Sequence, residues 1–382
     1  MTNFALSKNI SKIPQALSIY WNQKAADISS KKLIKLALGE AFFQIKKFNL
    51  NKYLVNKNYH YTDSRGNFLL RKKIAQLYNK KYSSKFNFKE EIIISAGSKI
   101  LTYMSLLVLL NKGEEVVTFE PAWLSYQEQT KIIGCKIRFI PFSTNINSIK
   151  KFLNKKTKVF ILNNPNNPSG KLYDKKFLFE LLKILRSKKI YLICDEAYSD
   201  FIPENKSFIS ALAVDKKKER TIVVNSLSKS FGMSGWRLGY AIANKKITEK
   251  LLILNQHLIT CAPTILQSYV ADNFENLYRH NMLKIKKIIK KRKVIEKFLK
   301  TNDIPYLDSD STFYFFISIN KNINVDDFTY ELLYKNFISV VPGRAYGKNT
   351  EQYIRISIGT EKLSSIIKAL KIIKKLLLRF AV

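Results

Sequence analysis

Between residues 68 and 243, apolar runs of strand length alternate with segments whose apolar positions recur every three or four residues. That alternation predicts an α/β unit built on a buried, largely parallel sheet. Strands are expected at 91–95, 115–119, 136–140, 158–162, 190–194, 221–225 and 238–243, with helices at 68–82, 99–110, 123–133, 146–153 and 175–186. Beyond Pro263 the texture changes. A long helical stretch over 265–300 leads to an apolar run at 313–319, a helix near 326–335, a strand at 353–358 and a final helix, the order of a smaller α+β unit. The first forty residues hold one helix and a strand-like stretch at 33–38, and are expected to pack on that second unit. The expected division is a large domain over 41–284 and a discontinuous small domain made of 1–40 and 285–382.

Length agrees with two domains, because 382 residues exceed what one hydrophobic core usually serves. The formal net charge of +37 raises nucleic acid or an acidic membrane as partners. The basic residues, however, are spread along the whole chain among many Ile and Asn, so a solvated lysine-rich surface is expected and neither partner is. The densest run, 284–300, carries Ile285, Ile288, Ile289, Val294, Ile295, Phe298 and Leu299 at helical spacing and reads as an amphipathic helix with a wet basic face. Cys135, Cys194 and Cys261 are far apart and lack metal-ligand spacing, so neither a disulfide framework nor a metal site is expected. The N-terminal residues lack the apolar core of a signal peptide, and no apolar stretch approaches the roughly 18 residues that span a bilayer. A cytoplasmic protein is the expectation.

Candidate chemistry centres on Asn225–Tyr240, NSLSKSFGMSGWRLGY, where Lys229 stands among serines and glycines with Arg237 eight positions on. A lysine that forms an imine must be neutral near pH 7 and held still, which a small-residue loop over a buried sheet provides; an ordinary loop lysine is the alternative. In Ile190–Tyr198, IYLICDEAY, an apolar strand ends in Asp195, and ligands of open α/β sheets lie at the carboxyl ends of strands. A helix cap is the alternative for that carboxylate. Asn163–Gly170, NNPNNPSG, predicts a rigid loop directly after a strand. In SAGSKIL, Gly97 and Ser98 sit where a strand passes into a helix whose N–H groups can face an anion.

These segments together resemble the fold-type I, pyridoxal phosphate-dependent aminotransferases of class I and II. The resemblance implies a three-layer αβα large domain with a mainly parallel seven-stranded sheet, plus a smaller α+β domain. It implies that Lys229 carries the cofactor, pyridoxal 5'-phosphate, as a Schiff base and afterwards shuttles a proton. Asp195 would face the pyridine nitrogen, keeping the ring protonated as an electron sink. Tyr198 and Asn167 would contact the phenolic oxygen. Ser226, Arg237, Gly97 and Ser98 would bind the phosphate, and Trp123, in PAWLSY, would stack on the ring. Arg355, in the alternating YIRISI, matches the arginine that grips the substrate α-carboxylate, with an exposed strand arginine as the alternative. Gly39 would close on that carboxylate, and Tyr61 would reach the phosphate in a neighbouring subunit, implying a homodimer with shared active sites. One departure stands out: the family's usual G-E-P-D-F is here Gly39-Glu40-Ala41-Phe42-Phe43, which puts the shape of the substrate entrance in question.

Lys99 resembles the lysine that reads a distal carboxylate in the aspartate and prephenate branch, so glutamate or aspartate is the expected amino donor to a keto acceptor. The same cation suits a phosphate. The departures around Ala41, together with GSKILTYM, EPAWLSY and NQHLITCAPTILQ, resemble a subgroup of bacterial surface-polysaccharide pathways, which adds dihydroxyacetone phosphate, giving serinol phosphate, as an alternative acceptor. A lyase or decarboxylase on the same fold is the nearest rival, and a nucleic-acid-binding regulator a distant one.

Overall fold

The computed structural model describes residue 7 and residues 10–28, 32–46 and 49–380. Residues 1–6, 8 and 9, on which the expectation about a leader partly rests, lie outside the described residues, as do 29–31 of the segment assigned to the small domain. After a helix at Leu17–Ala26, strand β1 (Ile34–Lys35) is the short remnant of the expected 33–38 strand. The large sheet follows with β2 (Ile92–Ser95), β3 (Glu115–Glu120), β4 (Lys136–Pro141), β5 (Thr157–Asn163), β6 (Tyr191–Asp195), β7 (Thr221–Ser226) and β8 (Gly239–Ile242). Their order is β2-β8-β7-β6-β5-β3-β4, parallel throughout except for β8, which runs antiparallel to both its neighbours.

The apolar runs are continuous because both faces of this sheet are covered. Ile94, Val117, Phe160, Leu192 and Val223 enter one core, whereas Ile93, Val116, Val159, Ile193 and Ile222 enter another on the opposite face. That split follows the two-residue side-chain period of a strand. A third core gathers Ile285, Phe315, Ile317, Leu332, Ile354, Ile356 and Ile373 around the antiparallel sheet of β9 (Tyr314–Ser318), β11 (Val341–Pro342) and β12 (Tyr353–Ser357). Strand β10 (Ile338–Ser339) pairs in parallel with β1, tying the N-terminal segment to this unit. The helix Thr264–Thr301 serves both bodies: Tyr269, Val270, Phe274 and Leu277 enter a large-sheet core, and Ile285, Ile288, Ile295 and Leu299 the third.

Some expectations are corrected. The stretch 146–153 closes as a 3-10 helix, Ile146–Phe152, because Asn145 caps it tightly and only Ile149 is buried, too little to fix an α-helical face. A helix at Lys245–Leu258 was not expected, since its consecutive LLIL blurs the helical period. Val294 belongs to the wet face of its helix, 49% exposed, not to the apolar stripe. No helix among the described residues is long and apolar enough to cross a membrane, and none of their His, Cys, Asp and Glu side chains cluster as metal ligands.

Candidate active site

At the carboxyl ends of β5, β6 and β7 a cavity of about 570 Å³ is lined by Gly39, Ser98, Lys99, Trp123, Asn163, Asn167, Asp195, Tyr198, Ser226, Lys229, Arg237, Tyr314 and Arg355. The sequence candidates thus converge, although they come from positions 39 to 355. Parallel pairing sets Asn163 beside Asp195, and the Asn163 Nδ2 donates to the Asp195 carbonyl at 3.0 Å. The Asn163 Oδ1 in turn accepts the Asn167 N–H at 2.6 Å, which fixes the NNPNNPSG loop against the strand end.

Asp195 is buried. Its Oδ2 accepts from the Tyr126 hydroxyl at 2.7 Å and its Oδ1 from the Ala197 N–H at 3.1 Å. Burial pushes its pKa up, opposed by those two donors and by Lys229, so the carboxyl is short of positive charge. A cationic nitrogen in the cavity would restore it. Lys229, on the short helix Leu227–Ser230, donates from Nζ to the Gly39 carbonyl at 2.6 Å and lies 6.0 Å from the Tyr198 ring centroid. Burial lowers this amine to about 8; Arg355 and Arg237 assist, and Glu40 and Asp195 oppose. Roughly a tenth of this amine is therefore neutral at pH 7, far more than of an ordinary lysine, as imine chemistry requires.

The Tyr198 hydroxyl accepts from Asn167 Nδ2 at 3.1 Å and lies 3.1 Å from the Tyr314 hydroxyl. Arg355 is buried, which overturns the exposed-arginine alternative. It donates from Nη2 to the Ala37 carbonyl at 2.7 Å and from Nη1 to Asn167 Oδ1 at 3.3 Å, while its Nε has no partner. The Tyr314 and Tyr346 rings lie 4.6 and 5.2 Å from its guanidinium. Two of the five guanidinium N–H groups are engaged in these bonds, so donors are left over for an incoming anion.

An anion cradle stands at the other end. Gly97, at φ +96°, precedes the helix Ser98–Leu109 and has no room for a side chain, since a Cβ would lie 2.5 Å from Arg237 Nη2. A Cβ on Gly239 would lie 2.4 Å from the Ser98 nitrogen, so β8 presses directly on the helix start. Arg237 holds a left-handed backbone, φ 53°, a strained state for a non-glycine that aims its fork at this cradle. With the Ser226 hydroxyl beside them, these groups fit a bound phosphate. The buried Asp195, the buried Lys229 with its lowered pKa and the phosphate cradle together suit pyridoxal phosphate.

Lys99 spans the rim, its ammonium 5.3 Å from the Trp123 ring centroid, and burial with nearby Arg237 lowers its pKa. Tyr61 is not in this cavity; it is 83% exposed. Of the departing Gly39–Phe43 segment only Gly39 lines the cavity: Ala41 is buried in the third core, Phe42 is exposed, and Phe43 packs close to Gly232. Sequence reasoning missed Tyr126, Asn163, Tyr314 and Glu40, the last accepting a hydrogen bond from Ser234. Tyr126 was discoverable, three residues beyond Trp123 in the same motif; Tyr314 sits in an unbroken apolar run and gave no signal.

Comparison with known proteins agrees with this geometry. The family model described as aminotransferase class I and II matches residues 36–370. A (5-formylfuran-3-yl)methyl phosphate transaminase of Methanocaldococcus jannaschii is 34% identical over 86% of this chain and 87% of its own length. An aspartate aminotransferase of Sulfurisphaera tokodaii is 33% identical over 79% and 78%. A crystal structure of a Pyrococcus protein superposes with a TM-score of 0.90 at 30% identity, covering 97% of this chain and 99% of that one.

Proposed function

The chain belongs to the class I and II aminotransferases, pyridoxal phosphate-dependent transaminases, and from that premise we propose that it moves an amino group from glutamate or aspartate to a keto acceptor by a ping-pong exchange through Lys229. The observation that carries this reading is the joint placement of Lys229, Asp195 and Arg355 around one cavity. Pyridoxal phosphate, when bound, supplies a carbonyl for the amine and a ring that accepts electrons. Asp195 holds positive charge at the ring nitrogen, and Tyr126 keeps its carboxylate in place. Tyr198 and Asn167 orient the phenolic oxygen. Gly97, Ser98, Ser226 and Arg237 hold the phosphate, with Trp123 against the ring. Arg355 and the Gly39 backbone receive the substrate α-carboxylate, and Lys99 the distal one. Lys229 would carry the cofactor and would move the proton at the substrate Cα.

A phosphorylated ketone such as dihydroxyacetone phosphate is a second acceptor. Lys99, which would otherwise meet the distal carboxylate, offers its charge to such a phosphate, and the Methanocaldococcus relative is named for a substrate that carries one. Two further features belong to the same reading. The large domain spans 41–284 with a small domain of 1–40 and 285–382, supported by the change of core along the helix Thr264–Thr301. The enzyme is a homodimer, with Tyr61 offered to the neighbour's phosphate, supported by its exposure.

The test is to aminate the holoenzyme with glutamate or aspartate, then offer oxaloacetate, 2-oxoglutarate and dihydroxyacetone phosphate separately. Stoichiometric 2-oxoglutarate from glutamate is expected, with borohydride fixing the cofactor to Lys229. Release of carbon dioxide or ammonia without a keto product would instead mean a lyase, and inertness towards dihydroxyacetone phosphate would remove the second acceptor.

A further inference from the structure

We propose that Asn255 is a positioning residue that couples the two cofactor sites of the dimer, tying each chain's own phosphate cradle to the arm it offers to the neighbour's phosphate. The inference rests on the transaminase and homodimer readings above and extends them. Asn255 lies in the helix Lys245–Leu258, is fully buried and does not line the active cavity. Its amide makes two short bonds: Oδ1 accepts from the Ser95 hydroxyl at 2.6 Å, and Nδ2 donates to the Ser64 carbonyl at 2.6 Å. The orientation of the amide is fixed, because a carbonyl oxygen can only accept.

Each bond ends on an element that serves a phosphate. Ser95 closes β2 and is itself buried, and its carbonyl accepts the Gly97 N–H at 2.7 Å, so the strand end and the cradle glycine form one turn. Ser64 stands three residues beyond Tyr61, in a turn where the Asp63 carbonyl accepts the Gly66 N–H at 2.7 Å and the Asp63 carboxylate the Arg65 N–H at 2.8 Å. That turn presses on the same strand. Because β2 is an edge strand, the Ile94 N–H is open to donate to the Arg65 carbonyl, at 3.0 Å. Gly66, at φ +99°, has no room for a side chain, since a Cβ would lie 2.5 Å from the Ile94 Cβ. Strand β2 therefore carries the cradle at its end and the arm along its edge, and Asn255 bonds both. Breaking either bond strands a buried polar group, so the two ends move together. A displacement of the arm by the neighbour's phosphate is passed to Gly97, and the reverse.

The experiment uses hybrid dimers of full-length chains, isolated through two different tags, freed of cofactor and titrated with pyridoxal phosphate. One chain carries Lys229→Ala, so borohydride fixes the cofactor only at the other chain's Lys229 and reads the occupancy of that one site. Asn255→Ala on the chain with Lys229 alters the cradle of the site being read; on the Lys229→Ala chain it alters only the arm offered to that site. Either placement should raise the Kd for pyridoxal phosphate about fivefold or more over the hybrid with Asn255 in both chains. The Kd for pyridoxal, which lacks the phosphate, should stay within about twofold. Ser95→Ala removes one hydroxyl and keeps the bond to Ser64, so it should act in the first placement and not in the second. An effect of Asn255→Ala in the first placement alone, equal losses for pyridoxal and its phosphate, or equal action of Ser95→Ala in both placements would overturn the coupling and leave the transaminase reading intact. A monomer that still fixes the cofactor at Lys229 would remove the dimer and the coupling together. No fixation in wild type would remove the Lys229 reading, and the coupling with it.

Discussion

At Lys229, burial converts an ordinary surface amine into a usable nucleophile, and the same burial leaves a signature in stability. Its pKa falls from 10.5 to about 8, chiefly through desolvation. Between those values the unfolded chain holds a proton that the folded chain has released, so the contribution of Lys229 to stability rises with pH across that window. Below about pH 8 the buried ammonium costs roughly 3 kcal/mol; above about pH 10.5 both states are neutral and the cost vanishes. Cofactor-free Lys229→Met is therefore expected to be more stable than cofactor-free wild type by roughly 2–3 kcal/mol near pH 7, with the gap closing towards about pH 10.5. Urea denaturation across that range measures it, and a gap that does not change with pH would show that desolvation of this amine is not its source.

Between elements, the loop that follows Asp195 at the end of β6 and carries Tyr198 is clamped from behind by charge. Lys81 of the helix Phe68–Tyr82 pairs with Asp200 and donates to the Tyr278 hydroxyl at 2.9 Å, and Tyr278 of the long helix donates to Asp200 at 2.8 Å. The Asp200 side chain is only 6% exposed. Burial alone would raise its pKa, but Lys81 pulls it below the usual carboxylate value, so the stabilisation it gives is present at neutral pH and lost as pH falls through the depressed pKa. Lys81→Met strands the carboxylate and is expected to cost about 3 kcal/mol at pH 7. Adding Asp200→Asn should return most of it. Chemical denaturation of the single and double variants reads this directly; a double variant no better than the single would show that packing of the lysine stem, and not charge, holds the clamp.

At the scale of the whole molecule, Tyr61 is exposed, as are its sequence neighbours Leu54, Val55, Tyr59 and Phe68, and several large apolar side chains left open within one segment fit an interaction surface. A second copy is the expected cover. Sedimentation should give twice the 44.4 kDa of one chain. Mixing Lys229→Ala with Tyr61→Ala chains should regain activity that neither shows alone, because one site in each hybrid then has both side chains; a fully active monomer would exclude shared sites. Much of the molecule was nevertheless legible in the chain itself. The seven strands of the large sheet could be read because a sheet covered on both faces needs unbroken apolar runs, and Lys229 and Asp195 stand out because strand ends and small-residue loops next to them leave local marks, whereas Asn167 came from the resemblance of its loop to the family's. What the sequence could not hold was every contact made between segments remote in the chain. Arg355 meets Asn167 across 188 positions and Ala37 across 318, and Tyr314 reaches Tyr198 across 116. Local pattern encodes which face of an element is apolar, but which hydroxyl or guanidinium ends beside which partner depends on how the packed bodies dock, and only the tertiary structure decides that.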